Sequence, residues 1–240
     1  MSPRRILTIA AALAISACTP VTQSTAPSAE DSRDSVEKTS VRDRQPPADA
    51  VRYTIVSANS EIRILTFRAG TMARLGHNHV ILSRALSGSV WRGDSLTASV
   101  ARVVMKVDSL EVDEPDARAE EGEEFARPID DDARAATRVN MLGPDLLNVE
   151  QHAFVRATCS NLTGTEEATI DCAIEVAGGV ANLVLPVSVS FADNQLTASG
   201  EVTITHDQLG LTPFSAAAGA VRVADGMTLR YRIVAQRLSQ

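Results

Sequence analysis

From Ala168 to the C-terminus, apolar side chains fall at every second position. Ala168, Ile170, Cys172, Ile174 and Val176 alternate with Thr169, Asp171 and Glu175, which puts oily groups on one face of a strand and polar ones on the other. Gly178-Gly179 breaks the run. Leu183 to Phe191 then alternates in the same way, Asp193-Asn194 turns the chain into Leu196 to Ile204, and Met227, Leu229, Tyr231, Ile233 and Ala235 make a last strand. Connections this short imply antiparallel neighbours. The first half adds strands over Arg52 to Val56, Ile62 to Arg68, Leu86 to Trp91 and Leu96 to Val107. About eight strands are then available, and an antiparallel sheet of that length with one apolar face removes its exposed edges by closing into a barrel. Between the halves, Asp130-Asp131-Asp132 ahead of Ala133 to Leu142, with Gly143-Pro144 as the stop, predicts one helix. Glu120 to Glu124 reads as an acidic, solvated face.

The first fifty residues do not fit this pattern. Arg4 and Arg5 precede the apolar run Ile6 to Ile15, which is too short to span a bilayer but suits a secretory signal. The run ends in Ile15-Ser16-Ala17-Cys18, which resembles the lipobox of bacterial lipoproteins, so residues 1–17 are expected to be removed and Cys18 acylated. An ordinary signal cleaved near Ala17 or Ala26 is the competing expectation. Thr19, in place of Asp, suggests the outer membrane. Residues 18–50 are rich in Ser, Thr, Pro and mixed charge and read as a flexible tether, whereas all 13 glycines and all aromatic residues lie after Val51. The folded domain is expected over residues 51–240.

Export also bears on the remaining cysteines. Cys159 and Cys172 flank a stretch whose midpoint lies beside Gly164-Thr165, so a hairpin there would set their sulfurs opposite one another in an oxidising compartment. A redox or metal pair is the alternative, although CxxC spacing and a neighbouring His are both missing. With a net charge of −7 and no basic cluster beside stacking aromatics, nucleic acid is not an expected partner.

Six segments, in order, resemble the YceI family of exported lipocalin-like barrels that bind polyisoprenoid-type lipids. They are Tyr53-Thr54-Ile55 with Ser60, Leu86 to Val90, Val107-Asp108-Ser109-Leu110, Leu142 to Glu150, Asp207 to Leu211, and Val223 to Met227. Gln151-His152-Ala153-Phe154 departs from the proline and aromatic usual there, and the segment Leu75 to His79 is longer than the common pattern. The resemblance implies an all-β fold: an antiparallel eight-stranded lipocalin-like barrel with one short helix between its halves. It also implies a hydrophobic lumen holding a long-chain isoprenoid or other amphiphilic lipid without a cofactor.

On that reading Val103, Met105, Leu185, Val187, Val189, Leu229, Tyr231 and Ile233 are the candidate ligand-binding residues, and the protein is a non-enzymatic carrier in the cell envelope, held to the membrane by its lipid anchor. A core packed solid with the same side chains is the plainer alternative. Catalysis finds no GxSxG, HExxH, P-loop or dinucleotide fingerprint in the chain. The sharpest short constellation is His77-Asn78-His79. Two residues apart on a strand, both imidazoles would face one side, as in a metal-binding or stress-related module, with His206 or a carboxylate as a further ligand. Hydrogen-bonded histidines at a rim are the competing reading.

Overall fold

The computed structural model describes residues 40–165 and 167–237. The leader, Cys18 and residues 18–39 of the expected tether lie outside the described residues. In chain order the elements are β1 (Val51–Ile55), β2 (Glu61–Ala69), β3 (His79–Ser83), β4 (Leu86–Arg92), β5 (Val100–Lys106), the two-residue β6 (Glu111–Val112), α1 (Pro115–Ala119), α2 (Asp131–Leu142), β7 (Phe154–Thr163), β8 (Thr169–Val176), β9 (Gly179–Pro186), β10 (Ser188–Ala192), β11 (Gln195–Thr205), the short β12 (Ser215–Ala216) and β13 (Val221–Gln236). All pairings are antiparallel within one sheet of 13 strands.

Thirteen segments appear where eight were expected: the strand expected over Leu183 to Phe191 is split into β9 and β10, and β3, β6, β7 and β12 were not among the expected strands. β1 runs into β2 through Val56–Ser60, and the next bent strand, β3 with β4, pairs alongside both, β4 on β1 and β3 on β2. At the first bend the Ser60 hydroxyl replaces ladder bonds: Oγ donates to the Val56 carbonyl at 2.9 Å and accepts the Val234 amide at 2.9 Å. β9 and β10 are split at Pro186-Val187. Proline has no amide to donate, so the chain leaves β8 there and takes up β11. The Val187 amide still bonds the Ala168 carbonyl at 2.8 Å, and inward alternation passes unbroken from Leu185 through Val187 to Val189. No ladder joins β9 to β11. Across that gap Tyr231 on β13 donates its hydroxyl to the Pro186 carbonyl at 2.5 Å, passing over Gly200 on β11. A Cβ at Gly200 would lie 2.2 Å from that carbonyl oxygen, so only glycine fits.

One core cluster draws on nearly every strand, from Tyr53 and Ile55 through Ile81, Leu86, Val90 and Met105 to Leu196, Ile233 and Ala235, and α2 with the following loop adds Met141 and Leu147. α2 is preceded by Asp130, whose side chain caps the Ala133 amide at 2.7 Å, in keeping with the acidic run. A second helix, α1, was not expected; Glu114 caps it and Pro115 opens it. It covers the outer face of β2 and β3, where Leu65, Val80, Leu82, Ala117 and Phe125 form a smaller core. Within the acidic run Glu120, Glu123 and Glu124 are exposed, as expected of a solvated face, whereas Glu121 is drawn in: its side chain is only 6% exposed and bonds Arg63 at 2.7 Å and Arg230 at 2.8 Å.

Cys159 and Cys172 are directly opposite on β7 and β8 and form a disulfide. Cys159 also faces Ala101, which packs on the main core, so the bridge lies on the inner face. Residues 40–50 run along the outside: Arg42 pairs with Glu175 at 2.9 Å, and Arg102 donates to the Arg44 carbonyl at 3.1 Å.

Candidate functional site

The strands define two ends. At one, β2, β5, β8 and β11 finish while β4, β7, β9 and β13 begin. Here β13 bulges: Val223 pairs with Arg68 and Met227 with Thr66, so four steps on β13 match two on β2. Between this bulge, the start of β3, α2 and the loop through Phe214 lies a cavity of about 480 Å³. Its apolar lining includes Ile81, Met141, Leu146, Val221 and Val223, the first three of which also belong to the main core. Its polar lining includes Arg68, His77, His79, Asn140, Asp145 and His206.

His79 is held most firmly. Its Nδ1 lies 2.6 Å from Oδ2 of Asp113, a side chain with no exposure. The other oxygen of Asp113 accepts the Val80 amide at 2.9 Å and Arg118 at 2.6 Å. Burial opposes ionisation of Asp113, but the hydrogen bond from His79, its charge interaction, and the bonds from Val80 and Arg118 outweigh it and hold the carboxyl below its ordinary range. Asp113 keeps a left-handed backbone, φ 54°, which non-glycine residues seldom adopt and which places its side chain back over β3. With Asp113 ionised, Nδ1 of His79 carries the proton and Nε2 is the ring nitrogen left for a ligand.

The neighbouring histidines divide as alternation predicts. Asn78 turns to the α1 side, where Oδ1 accepts the Arg68 amide at 3.0 Å and Nδ2 donates to the Glu124 carbonyl at 3.2 Å. His77 returns to the cavity, its ring centroid 6.3 Å from that of His79. Burial, then the positive charge of Arg127, His79 and Arg118, holds the His77 imidazole below its usual value, so it is neutral near pH 7. His206 donates Nδ1–H to the Asp225 carbonyl at 2.8 Å, because a carbonyl only accepts. Among the described residues no three His, Cys, Asp or Glu side chains stand close enough to hold a metal ion. The arrangement offers a polar head imidazole nitrogens and arginine donors above an apolar floor.

The eight residues named from the sequence lie elsewhere. Met105 and Ile233 are buried in the main core, and Val103, Val189 and Tyr231 pack against it half-buried. Leu185 and Val187 are buried outside that cluster, while Leu229 is half-buried beside Ile64 and Val202. Val187 and Val189 line an apolar cavity of about 70 Å³ toward the other strand ends, with Val90, Val100, Leu162 and Leu196. That volume holds roughly two waters. None of the eight lines the 480 Å³ cavity. Sequence reasoning found His77, His79 and His206 but missed Asp113 and Arg118. Asp113 comes 34 positions after His79, and nothing local marks it apart from the cap and proline that follow.

No family model and no curated protein matches the sequence. Solved structures do. Burkholderia cenocepacia BcnA matches with a TM-score of 0.53 at 13% identity, over 76% of this chain and 99% of its own. A polyisoprenoid binding domain from Saccharophagus degradans, implicated in plant cell wall breakdown, matches at 0.51 and 10% identity, over 78% and 99%. A Campylobacter jejuni YCEI protein, from the family the six segments resemble, matches at 0.45 and 10% identity over 64% and 82%, too remote to argue from. Identity this low shows a common fold, and the chain therefore has the mainly antiparallel β fold of BcnA and of the Saccharophagus domain.

Proposed function

We propose that this chain is a non-catalytic, YceI-like binder of a polyisoprenoid or similar long-chain lipid in the bacterial cell envelope. In this reading the bent pairs β1–β2, β3–β4 and β9–β10 each count as one stave, and with β5, β7, β8, β11 and β13 they make an eight-stranded lipocalin-like barrel whose remaining gap Tyr231 bridges. The observation that carries the proposal is the 480 Å³ cavity, whose floor is the core itself. Its size falls within the range of ligand sites, about 300–1,000 Å³. The head would sit among His77, His79 and His206. The tail would pass Ile81 and Met141 inward toward Met105, Val189, Tyr231 and Ile233, gaining about 0.8 kcal/mol for each CH₂ taken from water. Since the far cavity is only about 70 Å³, side chains along the inner face must part to admit it. The shared fold with a polyisoprenoid binding domain supports the ligand class. Acylation at Cys18 and residence at the outer membrane belong to the same proposal and rest on the sequence.

Organic extraction and mass spectrometry of the protein purified from its own envelope tests the reading. One long-chain isoprenoid or comparable amphiphile per chain is expected, lost when Val187→Asp places an unpaired charge on the inner face. An empty protein, or one carrying stoichiometric metal that disappears on His77→Ala, overturns it.

A further inference from the structure

We propose that the strand ends around the 480 Å³ cavity form a surface that docks on a lipid bilayer. The observation is an uneven distribution of exposed apolar side chains. Among the described residues, six of nine such side chains, Met72, Leu75, Val139, Phe154, Val180 and Phe214, stand at this one end. They come from separate pieces of chain: the loop after β2, α2, the first residue of β7, the start of β9 and the loop before β12. Met72 and Phe214 are tied to the rim by backbone bonds, the Met72 amide to the Ala220 carbonyl and the Val223 amide to the Phe214 carbonyl, at 2.8 and 2.9 Å. Phe214 also lines the cavity, and Val139, 70% exposed, lies beside its lining residues Asn140 and Met141 on α2. Leu96 and Phe191 sit at the opposite end, and Val184 on the outer side of β9.

Scattered apolar residues need no account, but Phe214 at the cavity, Met72 and Leu75 on the loop after β2 and Val139 on α2, with Phe154 and Val180 around a neighbouring pocket at the same end, gather enough apolar surface to mark an interaction face. The occupant is a bilayer because of where the chain enters. Residue 40 lies at the same end, since Arg42 is pinned to Glu175 near the finish of β8, before residues 43–50 cross to the start of β1. The 21 residues between Cys18 and residue 40 reach about 70 Å at full extension, enough for this end to lie against a membrane holding an acylated Cys18. Carboxylates and arginines are mixed here, with Asp130 to Asp132 near Arg127 and Arg134, so contact comes from apolar insertion and a zwitterionic bilayer suffices. The surface stands on exposed side chains and chain path and rests on the Cys18 acylation proposed above, but not on the lipid proposed for the cavity.

Depth-dependent quenching tests it with the full chain and vesicles of phosphatidylcholine brominated along the acyl chains. The single tryptophan, Trp91, lies toward the opposite strand ends and serves as the reference. Phe214→Trp and Val139→Trp are expected to show the added emission roughly halved, while wild type and Leu96→Trp are unaffected. In a Met72→Trp chain, adding Val139→Asp and Phe214→Asp is expected to abolish quenching with unfolding still cooperative. Quenching at Leu96→Trp equal to that at Phe214→Trp, or none anywhere, overturns the proposal. So does a blue-shifted Val139→Trp emission without vesicles: if dilution reverses it the surface belongs to a second copy, and if it persists it belongs to the chain's own first 39 residues.

Discussion

Asp113 ties the site's His79 to the fold. It is buried, ionised, left-handed in its backbone, and joined to His79, Val80 and Arg118. Breaking one side of a buried ion pair leaves the other charge uncompensated, which typically costs 3–5 kcal/mol. Asp113→Asn is therefore expected to lower unfolding stability by about 3 kcal/mol or more in urea titration. Tyr231 predicts a smaller effect. Burial pushes its hydroxyl up to about 12, so it stays protonated as a donor to Pro186. Tyr231→Phe is expected to lose about 0.5–1.5 kcal/mol in the same titration. His77 and His79 were legible as a His-x-His pattern, although only His79 lies on a strand and His77 belongs to the loop before it. Asp113 was not legible, because its partnership with His79 exists only after β3 and the loop before α1 have come together.

Among the elements, legibility followed the environment of each face. β8 and β11 fall within two residues of expectation because alternation marks them, whereas β9 begins four residues before Leu183, β13 begins six before Met227 and near its end buries Ile233, Val234 and Ala235 in a row, and the short β12 was not expected. β3 was hidden because α1 covers its outer side: Val80, Ile81, Leu82 and Ser83 are all buried, and a strand buried on both faces shows no period of two. The bend at Pro186 was also hidden, since alternation survives it, whereas the break at Val56–Ser60 already separated two expected strands. The paired cysteines were readable from the hairpin between them, and the bridge they form closes a loop of sequence separation 13. Reduction, or Cys159→Ala with Cys172→Ala, is expected to cost about 3 kcal/mol, seen as a lower thermal midpoint.

For the molecule as a whole, acid should weaken the fold in two stages. His77 is held below its ordinary 6.5, so below that pH the unfolded chain takes up a proton that the folded chain resists, and stability declines as pH falls from there. Asp113 is held below its ordinary 3.8, so its contribution is complete above that value and drains away beneath it. Urea midpoints measured from neutral to acid pH are expected to fall in both windows, and His77→Gln to remove the first decline while leaving the second.

The inward disulfide also sets how the molecule can swell. β7 and β8 are riveted across their middle, whereas β9 and β11 meet through a lone phenol. Any widening to accept a guest must then happen on one flank, the structure opening like a hinged locket while the riveted wall keeps its curvature.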